Sequence, residues 1–213
     1  MPSASAKAAI AHLKASDPVL AGLMEVAGSL DLHQRWQSPP VEPYGALVRS
    51  IVGQQLSTIA AGSIYRRLLG LFGGRVPGTS DLLGASQDDL RAAGLSRPKI
   101  AYLKDLAAHI EDGRLKIDKL GALPDDEVAR ELTAVKGLGQ WTADMFLLFH
   151  LGRPDVLPVG DLGIRRAVER AYGLSGLPSA TELATLATPW QPHRSVACLY
   201  LWQSLGNNPA AGE

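Results

Sequence analysis

Thr133-Ala134-Val135-Lys136-Gly137-Leu138-Gly139-Gln140-Trp141-Thr142-Ala143 decides how this 213-residue chain is read. A helical pattern ends, a Gly-x-Gly follows, and a second helical pattern starts at once. Glycine reaches positive φ without steric cost and leaves room for a neighbour, so the pair predicts a tight turn. The helix that follows presents unpaired N–H groups and the positive end of its dipole, an arrangement that suits a phosphate. The same stretch is also compatible with a plain αα-turn that needs glycine for its geometry alone. About twenty residues on, Leu157-Pro158-Val159-Gly160-Asp161-Leu162-Gly163-Ile164-Arg165-Arg166 places Asp161 where a loop becomes a helix. An aspartate there caps the helix. The same position stabilises an ionised carboxylate, which could support a cationic sugar or activate water. The two readings share one geometry.

Outward from this core, helical periodicity recurs and alternating β-branched runs are absent, so the chain is expected to be all-α, with nine to eleven helices. Asp17-Pro18 opens a helix that runs to about Gly28. Residues 44–71 form one or two helices. Gly73-Gly74 and Pro77-Gly78 break the chain. Ser86-Gln87-Asp88-Asp89 resembles a capping box and opens a short helix ending at Gly94. Further helices are expected from Arg97 to Ile110, from Pro124 towards Gly137, from Trp141 to Leu151, from Asp161 to Tyr172 and from Ser195 to Leu205. A boundary is expected near residues 111–123, which hold Gly113 and Gly121. The first seven residues, rich in Ala and Ser, are expected to fray.

Composition narrows the function. The chain carries 21 basic and 21 acidic residues, with 46% hydrophobic and 20% charged residues. This is globular composition, without the net charge of a disordered chain. Cys198 is the single cysteine, which excludes a disulfide framework, a four-cysteine zinc site and an iron–sulfur cluster. No apolar run is long enough to span a membrane, and the N-terminus lacks a signal-like apolar core. An intracellular location, the cytoplasm of a bacterium, is therefore expected. Zero net charge gives no global attraction to nucleic acid, so any such contact must come from local sites.

These residues resemble a known family. The hairpin with Gly137-Leu138-Gly139, followed by Asp161 at this spacing, is similar to the helix-hairpin-helix (HhH-GPD) DNA glycosylases, and the subtype resembles the AlkA-type 3-methyladenine DNA glycosylase II. Three further segments agree: YGALVRSIVGQQLS at 44–57, LRAAGLSRPK at 90–99, and WQPHRS at 190–195 followed by Tyr200-Leu201-Trp202. The resemblance covers about residues 18–206 in consistent order. It implies a single two-lobed helical domain over 1–213 with its hairpin at about 125–151, lacking the N-terminal α/β subdomain of longer AlkA-type members.

The resemblance implies a monofunctional enzyme of base excision repair. It would flip an alkylated base of the 3-methyladenine type out of damaged double-stranded DNA and hydrolyse its N-glycosidic bond. Asp161 would be the catalytic carboxylate. Trp141, Trp202, Tyr44 and Met145 would line the base pocket, and an indole face would attract a cationic base. Met145 stands where the AlkA type often has Tyr. Gln55 and Leu56 would fill the space the base leaves. Gly137, Gly139, Thr142, Arg97, Lys99 and Arg165, with Arg166, would meet the DNA backbone. The backbone carbonyls of Thr133, Val135 and Leu138 would hold a structural Na+ or K+ ion, with no cofactor needed for catalysis. Bifunctional lyases of this superfamily carry a Schiff-base lysine two residues beyond the second hairpin glycine; here that residue is Trp141. The same substitution, with the lack of a cysteine set, argues against an endonuclease III-type glycosylase for oxidised or mispaired bases. The remaining alternative is a non-catalytic helix-hairpin-helix DNA-binding module, which has no need of Asp161 with aromatics at 141 and 202. A monomer is expected.

Overall fold

The computed structural model describes residues 4–28, 30 and 42–206, and no strand occurs among them. All the regular structure is helical. The chain forms two compact units. The first comprises the described residues of Met1–Pro40 and Leu147–Gly212, and the second those of Val41–Phe146. Among the described residues the chain therefore changes unit between 30 and 42 and again at 146–147, not at the 111–123 stretch that composition marks. That stretch is a turn inside the second unit: Ile117–Ala122 winds as a 3-10 helix, and Leu115 and Leu120 are buried. Two apolar anchors hold it against the core in spite of its glycines.

In the first unit the helices Ala4–Ser16, Pro18–Ala27, Leu162–Tyr172 and Arg194–Ser204 pack together. The first is a correction. Of the seven residues expected to fray, 1–3 lie outside the described residues and the helix already starts at Ala4, where Ala6, Ala9 and Leu13 recur at helical spacing and bury together. Arg194–Ser204 is the central helix of this unit, with Ser195 through Trp202 all buried. A helix apolar on every side belongs inside a core. The buried Ser195 hydroxyl is satisfied, since Ser195 Oγ donates to Arg153 O at 2.6 Å and accepts from Val156 N at 2.9 Å. The sequence reading missed the helix Ala180–Leu186, although Ser179 and Glu182 form a full capping box.

In the second unit residues 44–71 resolve into two helices, Pro43–Gly53 and Thr58–Leu71, separated by a turn at 54–57. Ser57 caps the second by accepting from Ala60 N. Arg97–Glu111 packs against both Thr79–Gly84 and Pro43–Gly53. Asp125–Thr133 carries Asp125, Asp126 and Glu127 in its first turn, where the dipole favours them. It stops at Thr133, four residues before Gly137. The expected 141–151 helix is α-helical only over Gln140–Met145 and then widens to a π-turn at Phe146–His150, through which the chain leaves the unit.

Candidate functional site

In the first unit Asp161 caps the helix Leu162–Tyr172. Its Oδ1 accepts from Ile164 N at 2.8 Å and from the indole N–H of Trp202 at 2.9 Å. Asp161 N donates to Pro158 O at 2.9 Å, which fixes the turn entering the helix. Asp161 as a residue is 8% exposed. Gly163 makes this possible: a Cβ there would stand 3.0 Å from Asp161 Oδ1 and 3.2 Å from the Trp202 ring. Trp202, expected to line the base pocket, is 2% exposed and stacked on Phe149 with centroids 5.8 Å apart. In this position it acts as a support that holds the carboxylate.

In the second unit the hairpin glycines differ from each other. Gly137 has φ +87, and a Cβ on it would overlap the ring of Tyr102. Gly139 has φ −98 and ψ 176, extended backbone open to any residue, and nothing lies within 4 Å of its added Cβ. Positive φ and close approach, expected of both, belong to Gly137 alone. The turn is also held by side chains that the sequence did not single out. Asp105 Oδ2 accepts from Lys136 N at 2.8 Å, and the Gln54 side-chain amide donates to Gly137 O at 2.8 Å. Leu138 N donates to Val135 O at 3.1 Å, so one of the three carbonyls expected around a cation already takes part in the turn. Among the described residues no cluster of His, Cys, Asp and Glu could hold a metal ion.

The remaining expected residues fall into distinct environments. Trp141 is 45% exposed on the first turn of Gln140–Met145. Met145 is half-buried at the end of the same helix. Thr142 is 5% exposed, below the surface at which its side chain would meet a phosphate. Gln55 and Leu56 are exposed on the 54–57 turn, where Gln55 has φ +58. Gln55 thus stands on a turn in left-handed backbone, which non-glycine residues rarely adopt.

Tyr44 lies on the first turn of Pro43–Gly53. Its hydroxyl is buried with no hydrogen-bond partner. Burial, and then the negative charges of Asp81 and Glu111, push its pKa above the usual tyrosine value. That helix is eleven residues long, about 16 Å at 1.5 Å each, so Tyr44 on its first turn is remote from the 54–57 turn.

Arg97 and Arg166 are exposed. The other two basic candidates are bonded within their units. Lys99 Nζ donates to Val52 O at 2.7 Å, and burial lowers its pKa. Expected as a phosphate contact, Lys99 instead braces the negative end of the helix Pro43–Gly53. Arg165 Nε donates to Pro178 O at 2.7 Å. Asp144 was not expected at all. It is buried on Gln140–Met145, where burial pushes its pKa up to about 6 and a 2.8 Å hydrogen bond from Gln140 opposes the rise. Nothing in the local sequence distinguishes Asp144 from a surface acid.

The sequence profile of the HhH-GPD superfamily, described as base excision DNA repair proteins, matches residues 48–192. The chain belongs to this superfamily. Within it the chain is similar to a DNA-3-methyladenine glycosidase of Bacillus halodurans, 40% identical, with a TM-score of 0.82 over 93% of this chain and 89% of that one. It is also similar to the 3-methyladenine DNA glycosylase of Schizosaccharomyces pombe solved with abasic DNA, 30% identical, TM-score 0.78, covering 92% and 95% of the two chains. A third relative, named a putative DNA-3-methyladenine glycosylase of Bacillus subtilis, is 29% identical over 168 residues, and the match spans 76% of this chain but 58% of that protein. No described helix of this HhH-GPD protein is long and apolar enough to cross a membrane.

Proposed function

We propose that this protein is a monofunctional DNA-3-methyladenine glycosylase that binds damaged duplex DNA and hydrolyses the bond between an alkylated base and its sugar. The observation that carries it is Asp161, a buried carboxylate held at a helix start by Ile164 N and the Trp202 indole. An alkylated base already bears positive charge, so protonating the leaving group matters little. Charge develops on the deoxyribose, and a fixed carboxylate there stabilises the transition state. The same carboxylate can orient or deprotonate the attacking water. Trp202 acts by holding Asp161, and Trp141 is the aromatic face available to a cationic base.

The hairpin would meet the DNA backbone beside Gly139, where an added Cβ would find open space. Gln55 and Leu56 would enter the space left by the flipped base. The carbonyls of Thr133, Val135 and Leu138 are neutral oxygen donors of the kind that suit Na+ or K+, and such an ion would add positive charge at the hairpin. With Trp141 in place of the lyase lysine, the product is an abasic site.

Methylated duplex incubated with the protein and then with alkali tests this. Free methylated base and alkali-dependent strand breaks are expected, with no borohydride-trapped adduct. Tight binding to the same DNA without base release would instead favour the non-catalytic helix-hairpin-helix module.

A further inference from the structure

Four hydrogen bonds surround the turn that carries Gln55. Gln54 N donates to Ser50 O at 3.1 Å, and Leu56 N to Gly53 O at 3.2 Å. Lys99 Nζ donates to Val52 O at 2.7 Å, and Gln54 Nε2 reaches Gly137 O at 2.8 Å. Between them Gln55 stands exposed at φ +58, a conformation that persists only where its surroundings impose it. The far end of the Gln54 bond is equally fixed. Lys136 N is held by Asp105, and Gly137 lies against the Tyr102 ring with no room for a Cβ. Gln54 therefore joins two rigid turns separated by more than eighty residues of sequence.

We propose that Gln54 is the positioning residue for base extrusion. Its amide ties the turn bearing Gln55 and Leu56 to the hairpin, so that the side chains entering the duplex are set at a fixed distance from the backbone clamp. The neighbouring glutamines thus divide the work: Gln55 enters the DNA and Gln54 aims it. Gly137 O only accepts, so the tie needs a donor. Glutamate at 54 would place an acceptor against an acceptor, and methionine would keep the shape with no bond. Lysine restores a donor of similar reach. Fixing a geometry in advance speeds the step that needs it and leaves ground-state binding nearly unchanged.

The inference rests on the glycosylase reading in taking damaged DNA as the ligand, so its test reads insertion separately from chemistry. The probe is a duplex with a tetrahydrofuran abasic analogue opposite 2-aminopurine, whose fluorescence rises when the stack opens. Stopped-flow fluorescence gives the insertion rate, anisotropy the affinity, and thermal melting the folded fraction. Gln54→Met and Gln54→Glu are expected to slow insertion about tenfold, the size of one hydrogen bond. Affinity should hold within about threefold, and Gln54→Lys should recover most of the rate. Three results overturn the proposal: Gln54→Met inserting as fast as wild type, insertion and affinity falling in parallel in every variant, or wild type giving no fluorescence rise. Excision of methylated base is measured alongside. Normal insertion without excision would sink the glycosylase reading and leave the role of Gln54 standing.

Discussion

Asp17 and Asp161 lie in the same unit and look alike. Each caps a helix, each is buried, and each takes a hydrogen bond from a tryptophan indole. Their partners differ. Asp17 Oδ1 accepts from Val19 N and Leu20 N, both at 3.0 Å, and Oδ2 accepts from Trp190 Nε1 at 2.7 Å and from the Tyr172 hydroxyl. Oδ1 is filled by the start of its own helix and Oδ2 by two donors from distant parts of the chain, so Asp17 is a knot joining the N-terminal helices to the C-terminal half of the unit. Burial pushes its pKa up, but the bonds from Trp190, Tyr172, Leu20 and Val19 together outweigh this and the net shift is downward. On Asp161 the Ile164 and Trp202 donors share one oxygen, and Gly163 removes side-chain bulk beside it. A cap with an indole is thus a general way to bury an aspartate. It does not by itself mark chemistry; the space that Gly163 leaves beside the carboxylate sets Asp161 apart.

The comparison breaks most visibly under the same substitution at both sites. Asp161→Asn keeps the cap and an acceptor for Trp202 but removes the charge. Base release is expected to fall at least about 10²–10³-fold, while stability stays within about 1 kcal/mol. Asp17→Asn should do the reverse. One oxygen becomes an amide that cannot accept from both Trp190 and Tyr172, and stability should fall by about 2–4 kcal/mol. Activity per folded molecule should be unchanged. The sign with pH follows from the lowered folded pKa: the Asp17 contribution is present above the unfolded value of 3.8 and is lost as pH falls below it. Melting and excision measured on both variants decide the matter. An Asp17→Asn protein that melts like wild type yet releases no base would reverse the two assignments.

How much of this was legible in the sequence depends on the range of the interaction. Helix type and the capping positions of Asp17, Ser86 and Asp161 are local, and the residues around each carry the signal. The hairpin was legible for the same reason, although only Gly137 proved to need its glycine. What the sequence could not give is pairing across long separations. Gln54 with Gly137, Lys99 with Val52 and Asp105 with Lys136 are each one polar side chain meeting one backbone group, which leaves no periodic trace. The sequence therefore presents Lys99 as a DNA-backbone contact and Trp202 as a wall of the base pocket, with no sign of the Lys99 bond to Val52 O or of the Trp202 indole bond to Asp161. Gln54 carried a faint signal in the doubled glutamine, but nothing local says which of the two faces the protein.

Asp144 extends the comparison to a third buried carboxylate, with the smallest expected effect and the opposite sign. The Gln140 amide donates to it at 2.8 Å, and burial outweighs that bond, raising its pKa to about 6. Between the unfolded value of 3.8 and about 6, the folded protein holds a proton that the unfolded chain has released. Stability therefore declines as pH rises through this window, and above it the ionised carboxylate weighs on the folded state. A shift of this size corresponds to roughly 2–3 kcal/mol, reduced to about 1–2 by residual solvent screening. Asparagine carries no charge and still accepts from Gln140. Asp144→Asn should therefore melt about 2–6 °C above wild type at about pH 8 and lose that advantage by about pH 4. The Asp17→Asn deficit should instead be nearly constant over that rise and shrink only as pH falls below 3.8, because one site stabilises its ion and the other penalises it. A melting difference at Asp144 that stays flat with pH, or a variant less stable than wild type at pH 8, would mean that the ion has favourable partners and that Asp144 belongs with Asp17.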